Sequence, residues 1–223
     1  MASKHSHHHK QNQKIAPGTG YKRHDIYWAK AKDDGYAARS VYKLQEVDQA
    51  HKLLPPGAHV LDLGCAPGSW LQYAAQRVGA TGRVVGVDLE AVTVPLSKNV
   101  TTLVLDMARL TTAMLPSDAL PIDVVLSDLA PHTSGIRSVD QDRSFDLSAR
   151  AVLAADQLLR PGGHLLVKTF QGGDTKRLGD AVRLRYTSWE FIRPQATRKV
   201  SFEVYVLGKG YKGVPSKDPL ETL

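Results

Sequence analysis

The apolar positions of this 223-residue chain change period several times. From about Ala37 to Lys52, Val41, Leu44, Val47 and the following Leu54 recur at three- and four-residue steps, which predicts a helix with one buried stripe. Lys43 adjoins that stripe without belonging to it, and Pro55, Pro56 and Gly57 end the helix. Short apolar runs follow, each predicting a strand: Val60–Leu63, Arg83–Asp88, Thr101–Asp106, Ile122–Asp128 and His164–Phe170. Helical stretches lie between them, at Trp70–Val78, at about Arg143–Leu159 before Pro161-Gly162-Gly163, and at Asp174–Arg185. Ile26, Tyr27 and Ala29 suggest one more short helix, and Ser188–Ile192 with Phe202–Leu207 suggest a final strand pair. Strands alternating with helices make an α/β fold, a mostly parallel sheet with helices on both faces. The last connection is too short for a crossover helix, so the last strand should run antiparallel. Without an internal repeat or a second domain, the expected organisation is a polar arm over 1–22, one domain over 23–211 and a flexible tail over 212–223.

Chemistry enters where the first strand stops. The stretch Val60–Trp70 reads VLDLGCAPGSW, and Gly64, Pro67 and Gly68 force a tight turn into the next helix. Strand, glycine turn and helix is how an open α/β sheet builds a nucleotide site, because the backbone and the helix N-terminus offer free N–H groups. Asp88, Asp106 and Asp128 end the next three strands, and Lys168 sits near the end of the fifth. In a parallel sheet these ends share one edge, outside which ligands bind. Asp88 can accept both hydroxyls of a ribose, and Asp106 an exocyclic amine of adenine. Asp62 places negative charge under the turn, which disfavours a pyrophosphate and suits an amino group or a cation. An adenosine joined to an amino acid through a cationic sulfur satisfies every feature, and that is S-adenosylmethionine.

Charge changes the picture at one end only. The formal net charge is +7, and residues 1–32 hold seven lysines and arginines against the single Asp25. A basic arm on a near-neutral body is an electrostatic footprint for nucleic acid. Arg39, Arg137, Arg193, Arg198 and Lys199 are further candidate phosphate contacts. The histidines of the arm fit a low-complexity start, and no Cys/His cluster has metal-ligand spacing, so no metal is expected. Cys65, the one cysteine, rules out an internal disulfide and reads as a packing residue rather than a nucleophile. With no secretory segment and no bilayer-length apolar run, the expected location is cytoplasmic, without a membrane partner, and the expected state a monomer.

The stretches ARSVYKLQEV, VLDLGCAPGSWLQY, VVGVDL, VVLSDLAPHTSG, RPGGHLLVKTFQG and SFEVYVLG resemble the FtsJ-type (RrmJ-type) ribosomal RNA 2′-O-ribose methyltransferases, from about Gly35 to Lys209. The spaced set of Lys43, Asp128, Lys168 and Glu203 looks like the Lys-Asp-Lys-Glu tetrad of RNA ribose methyltransferases. The resemblance implies a Rossmann-like seven-stranded sheet and makes these four the catalytic candidates, with Lys168 central. It also implies cofactor contacts at Gly68, Trp70, Asp88, Asp106 and Asp128, to which the turn reading adds Gly64. Bacterial members act on a uridine of 23S rRNA in the large ribosomal subunit, so the implied partner is RNA and not DNA. The family pattern often has a second glycine where this chain has Ser69. Relatives acting on tRNA or another RNA, a small-molecule methyltransferase and a non-catalytic RNA-binding module remain as alternatives; the last two do not need an intact tetrad.

Overall fold

The computed structural model describes residues 26–198 and 200–221. The polar arm and Lys199 lie outside the described residues. The chain runs α1 (Ile26–Asp33), α2 (Val41–His51), β1 (His59–Leu63), α3 (Ser69–Val78), β2 (Arg83–Asp88), β3 (Val100–Val104), β4 (Ile122–Ser127), α4 (Arg137–Leu158), β5 (Leu159–Phe170), α5 (Thr175–Arg185), β6 (Tyr186–Ile192) and β7 (Glu203–Tyr211). The seven strands form one sheet in the order β3-β2-β1-β4-β5-β7-β6. β1 to β5 pair in parallel, and β7 is antiparallel to both β5 and β6. The chain moves one way from β1 to β2 and β3, then returns to lay β4 on the other side of β1. This reversal opens a crevice at the carboxyl ends of β1 and β4.

Alternation along the strands divides the core in two. Leu61, Leu63, Val125, Leu165, Val167 and Val206 point to one face, where they pack with α4 and α5. Val60, Val84, Leu126, Leu166, Tyr205 and Leu207 point to the other, where they pack with α2 and α3. The same period sends Asp62, Lys168 and Glu203 to the α2–α3 face.

Several boundaries differ from those the sequence suggests. α2 begins at Val41, not Ala37, because residues 39 and 40 form a turn and the Ala37 N–H before it is held by the Gln72 side chain. It ends at Lys52, which adopts the left-handed conformation (φ 53°) and leaves Leu54 buried just beyond the helix. β3 stops at Val104, and Asp106 caps the short helical turn Met107–Arg109 instead of ending the strand. α4 starts at Arg137, six residues before the expected Arg143. β5 extends back through Pro161–Gly163, where an irregular pairing between Ile122 and Val124 of β4 absorbs the extra residues. The segment from Lys212, expected to be a flexible tail, is docked. The Lys212 N–H donates to Arg185 O, Asp218 pairs with Arg185 and Leu220 is buried.

Candidate active site

The turn after β1 is built from the inside. The N–H groups of Gly64 and Cys65 reach back to Val87 O, and the Ala66 N–H donates to Asp88 Oδ2 at 2.8 Å. Gly64 and Gly68 have φ of 79° and 114°, a region costly for other residues. A Cβ on Gly64 would lie 2.6 Å from Leu129, and one on Gly68 2.8 Å from Val92, so the protein's own side chains press on the turn. α3 starts at Ser69, and the N–H groups of its first turn have no intrahelical acceptor. They face the carboxyl edge of the sheet together with Asp88, whose second oxygen accepts the Glu90 N–H.

Asp62 lies wholly buried under this turn, and neither of its oxygens has a partner. Burial, with the nearby Asp128 and Asp88 charges, pushes its carboxyl well above the ordinary carboxylate range. Burial therefore works against the negative charge expected under the turn. Cys65 is also buried, packed against Gly86, and burial pushes its thiol up, which fits a packing residue and not a nucleophile.

The four tetrad positions converge beside this crevice as two ion pairs. Lys43 Nζ donates to Glu203 Oε2 at 2.7 Å. Lys168 Nζ donates to the Asp128 backbone O at 2.6 Å and lies 3.1 Å from Asp128 Oδ1. The Tyr205 hydroxyl donates to the same Oδ1 at 2.6 Å. The register explains the meeting: Lys168 faces Tyr205 and Phe170 faces Glu203 across β5 and β7, so Lys168 and Glu203 share a sheet face. α2 covers that face and brings Lys43 to it, its ammonium 5.9 Å from the Tyr205 ring centre. Burial would raise Asp128, but the Lys168 and Lys43 charges and the Tyr205 hydrogen bond outweigh it and hold the carboxyl below its usual range. Burial beside Asp128 pushes the Tyr205 phenol well up, so it remains a donor.

Two positioning residues were not singled out in the sequence. Tyr205 orients Asp128, and the alternation of SFEVYV, which puts it on the face of Glu203, was the available signal. Ser40 ties the start of α2 to α3: its hydroxyl lies 3.0 Å from that of Ser69, and its carbonyl accepts the Trp70 indole N–H at 2.9 Å. Ser69, in place of the second glycine, thus supplies a tether. The Trp70 ring is buried, 6.0 Å from the Tyr205 ring, and joins the turn to the tetrad. Asp106 stands at the surface with Oδ1 on the Ala108 N–H. Arg39, Arg193 and Arg198 gather at the β6–β7 loop: Arg39 donates to Ala196 O, Arg193 to Ser201 O, and Arg198 adjoins Arg39. Tyr36 and Tyr42 pack edge to face at 6.5 Å, their hydroxyls on Gln76 and Asp34. No helix among the described residues is long and apolar enough to cross a membrane.

This strand order, with a glycine turn after β1 and a carboxylate at the tip of β2, defines a Rossmann-like methyltransferase. The model of the FtsJ-like methyltransferase family matches residues 36–211. The chain belongs to that family. It is 46% identical over 192 residues to the Ribosomal RNA large subunit methyltransferase E of Sorangium cellulosum, covering 86% of this chain and 90% of that one. The protein of the same name from Syntrophobacter fumaroxidans is 47% identical over 185 residues, covering 82% and 94%. A crystal structure from Plasmodium falciparum, assigned as a ribosomal RNA methyltransferase, superposes with a TM-score of 0.69 at 25% identity over 80% of this chain and all of that one.

Proposed function

We propose that this enzyme methylates the 2′-hydroxyl of a uridine ribose in 23S rRNA of the large ribosomal subunit, with S-adenosylmethionine as donor, in the cytoplasm. The observation that carries the reading is the pair of lysines and pair of carboxylates gathered beside the β1 crevice. The relatives named as large-subunit rRNA methyltransferases, similar over more than four fifths of the chain, support the substrate class. The basic rim at the β6–β7 loop favours RNA over a small molecule.

The crevice fits the donor. Asp88 has lone pairs left for a ribose diol after taking two backbone N–H groups. Asp62 is a buried carboxyl without a partner, suited to a hydrogen-bond donor entering above it. Gly64, Gly68 and the backbone of Trp70 would line the same turn, Asp106 would accept from the adenine amine, and Asp128 would lie between donor and tetrad. When bound, the donor supplies an electrophilic methyl on a sulfonium. The protein's task is then to aim the ribose oxygen and handle its proton. Lys168 already donates to two Asp128 oxygens, which fixes its direction and leaves donor capacity for an oxygen in the crevice. It holds the 2′-oxygen and stabilises the negative charge developing there. Lys43 and Glu203 complete a set of two cations and two carboxylates with zero formal charge.

The test is transfer of radiolabelled methyl to large subunits from cells lacking the gene, with tRNA as the competing substrate. The reading predicts alkali-resistant label in 23S rRNA at a uridine ribose. Label confined to tRNA, or no transfer, contradicts it.

A further inference from the structure

A second cavity lies at the ends of β5 and β7, beside the tetrad. It has a volume of about 270 Å³ and is lined by Thr133, Arg137, Gln141, Phe170, Ser201 and Phe202, with Gly135 and Asp140. Phe170 is the last residue of β5, two beyond Lys168, and pairs in register with Glu203. Phe202 immediately precedes Glu203, the first residue of β7. Phe170 lines the cavity and shares the sheet face of Lys168 and Glu203, so cavity and tetrad adjoin at one strand end, two residues of strand or about 7 Å apart along the backbone.

The walls are preformed. Asp140 Oδ1 accepts the Ser134 N–H at 2.7 Å and the Ser134 hydroxyl at 2.8 Å, and Oδ2 accepts the Gly135 N–H at 3.3 Å. These bonds fix the loop between β4 and α4 against the helix. Gln141 Nε2 donates to Gln171 O at 2.6 Å and closes another side. Phe202 stays 43% exposed, a large ring left open at the mouth of a crevice. The Arg137 guanidinium lies 3.9 Å from its centre. A ring face beside a planar cation takes another flat, polarisable ring. The lining argues against a phosphate as occupant: Asp140 brings an anion, and Arg137 is engaged on the ring. The volume suits one small ring system.

We infer that this cavity receives one unstacked base of the substrate RNA, stacked on Phe202 beside Arg137, while the adjoining ribose is presented to Lys168. The inference rests on the proposed RNA reading, and the phosphates on either side of that base then face the Arg193 and Arg198 rim. Specificity comes from the polar edge of the cavity, where Thr133, Gln141 and Ser201 offer hydrogen-bonding groups to the base.

The experiment measures steady-state transfer to unmodified large ribosomal subunits by the full chain and by Phe202→Ala, Phe202→Leu and Phe202→Tyr, with S-adenosylmethionine affinity by calorimetry. Loss of a base–aromatic stack should raise KM for the subunits about tenfold in both Phe202→Ala and Phe202→Leu. kcat and donor affinity should stay near wild type, and Phe202→Tyr should restore KM. Leucine keeps apolar bulk without a π-face, so a Phe202→Leu enzyme with wild-type KM overturns the inference. So does a loss in kcat or donor affinity as large as the change in KM, which marks a structural role. If the wild-type enzyme transfers no methyl to the subunits, the RNA reading itself fails, and the two failures are told apart by that control.

Discussion

Two buried ionic clusters sit at opposite edges of the same sheet. At the carboxyl edge, Lys43, Lys168, Asp128 and Glu203 meet around Tyr205. At the other edge, Arg185 at the end of α5 is wholly buried between Asp156 of α4 and Asp218 of the C-terminal segment. In the second cluster each guanidinium nitrogen donates inward. Arg185 Nε bonds both Asp156 oxygens at 3.0 and 2.9 Å, Nη1 reaches Ala181 O and Asp218 Oδ1, and Nη2 reaches Asp218 Oδ2. The Tyr211 hydroxyl takes up Asp156 Oδ1 as well. In the tetrad, Lys43 makes one such contact, to Glu203, and both Lys168 contacts go to Asp128. Burial of charge alone therefore does not mark a catalytic site. The two clusters differ in where their donors go: the lysines of the proposed catalytic set keep N–H groups for the crevice, whereas the guanidinium, as a staple, turns each of its nitrogens to an acceptor inside the fold.

The largest effect on stability should come from the staple. Arg185→Ala leaves two carboxylates buried without a cation and should cost about 3–5 kcal/mol in chemical denaturation. A loss under about 1 kcal/mol, the range of a surface pair, would dissolve the distinction between the clusters. Tyr205→Phe acts on the other cluster. It removes a hydrogen bond to an ionised carboxyl, worth about 1.5–3 kcal/mol, and should lower kcat by tenfold or more with donor affinity retained. Loss of folding stability with unchanged kcat would make Tyr205 another staple.

A smaller effect separates acids by environment. Asp128 and Asp218 are held low, so their stabilisation is complete above the ordinary aspartate value and is lost as pH falls through their depressed folded values. Asp62 is held high, so its contribution is complete at low pH and is lost as pH rises through its raised folded value. Asp62→Asn should therefore gain thermal stability relative to wild type as pH increases, by about 1.4 kcal/mol for each unit of displacement passed. Melting curves that stay parallel from acid to alkaline pH would contradict the assignment.

Much of this was legible in the residues. Strand, glycine turn and helix at Val60–Val78 are written in apolar runs and punctuation, and the acids at strand tips follow from counting strands. The start of α4 was hidden because Arg137, Ser138, Gln141 and Asp142 carry no apolar stripe; those turns precede the part of α4 that packs on the core. Pro161-Gly162-Gly163 looks like a stop but is carried inside β5 by irregular pairing. The docked tail was illegible for a different reason. Its anchor is Arg185, one basic residue among several in α5, and no local pattern says which will be buried. Tyr205 was visible on the face of Glu203, but its bond to Asp128 depends on the order in which β4, β5 and β7 lie side by side.

The central claim is that Lys168 acts on the ribose oxygen and not on the donor. Lys168→Ala should be assayed for radiolabelled methyl transfer to unmodified large subunits and, separately, for S-adenosylmethionine binding by calorimetry. The account predicts a rate lower by about 10²–10⁴-fold, with donor affinity changed by less than about threefold, under 1 kcal/mol. Transfer near the wild-type rate, or a loss matched by the loss of donor binding, would contradict it.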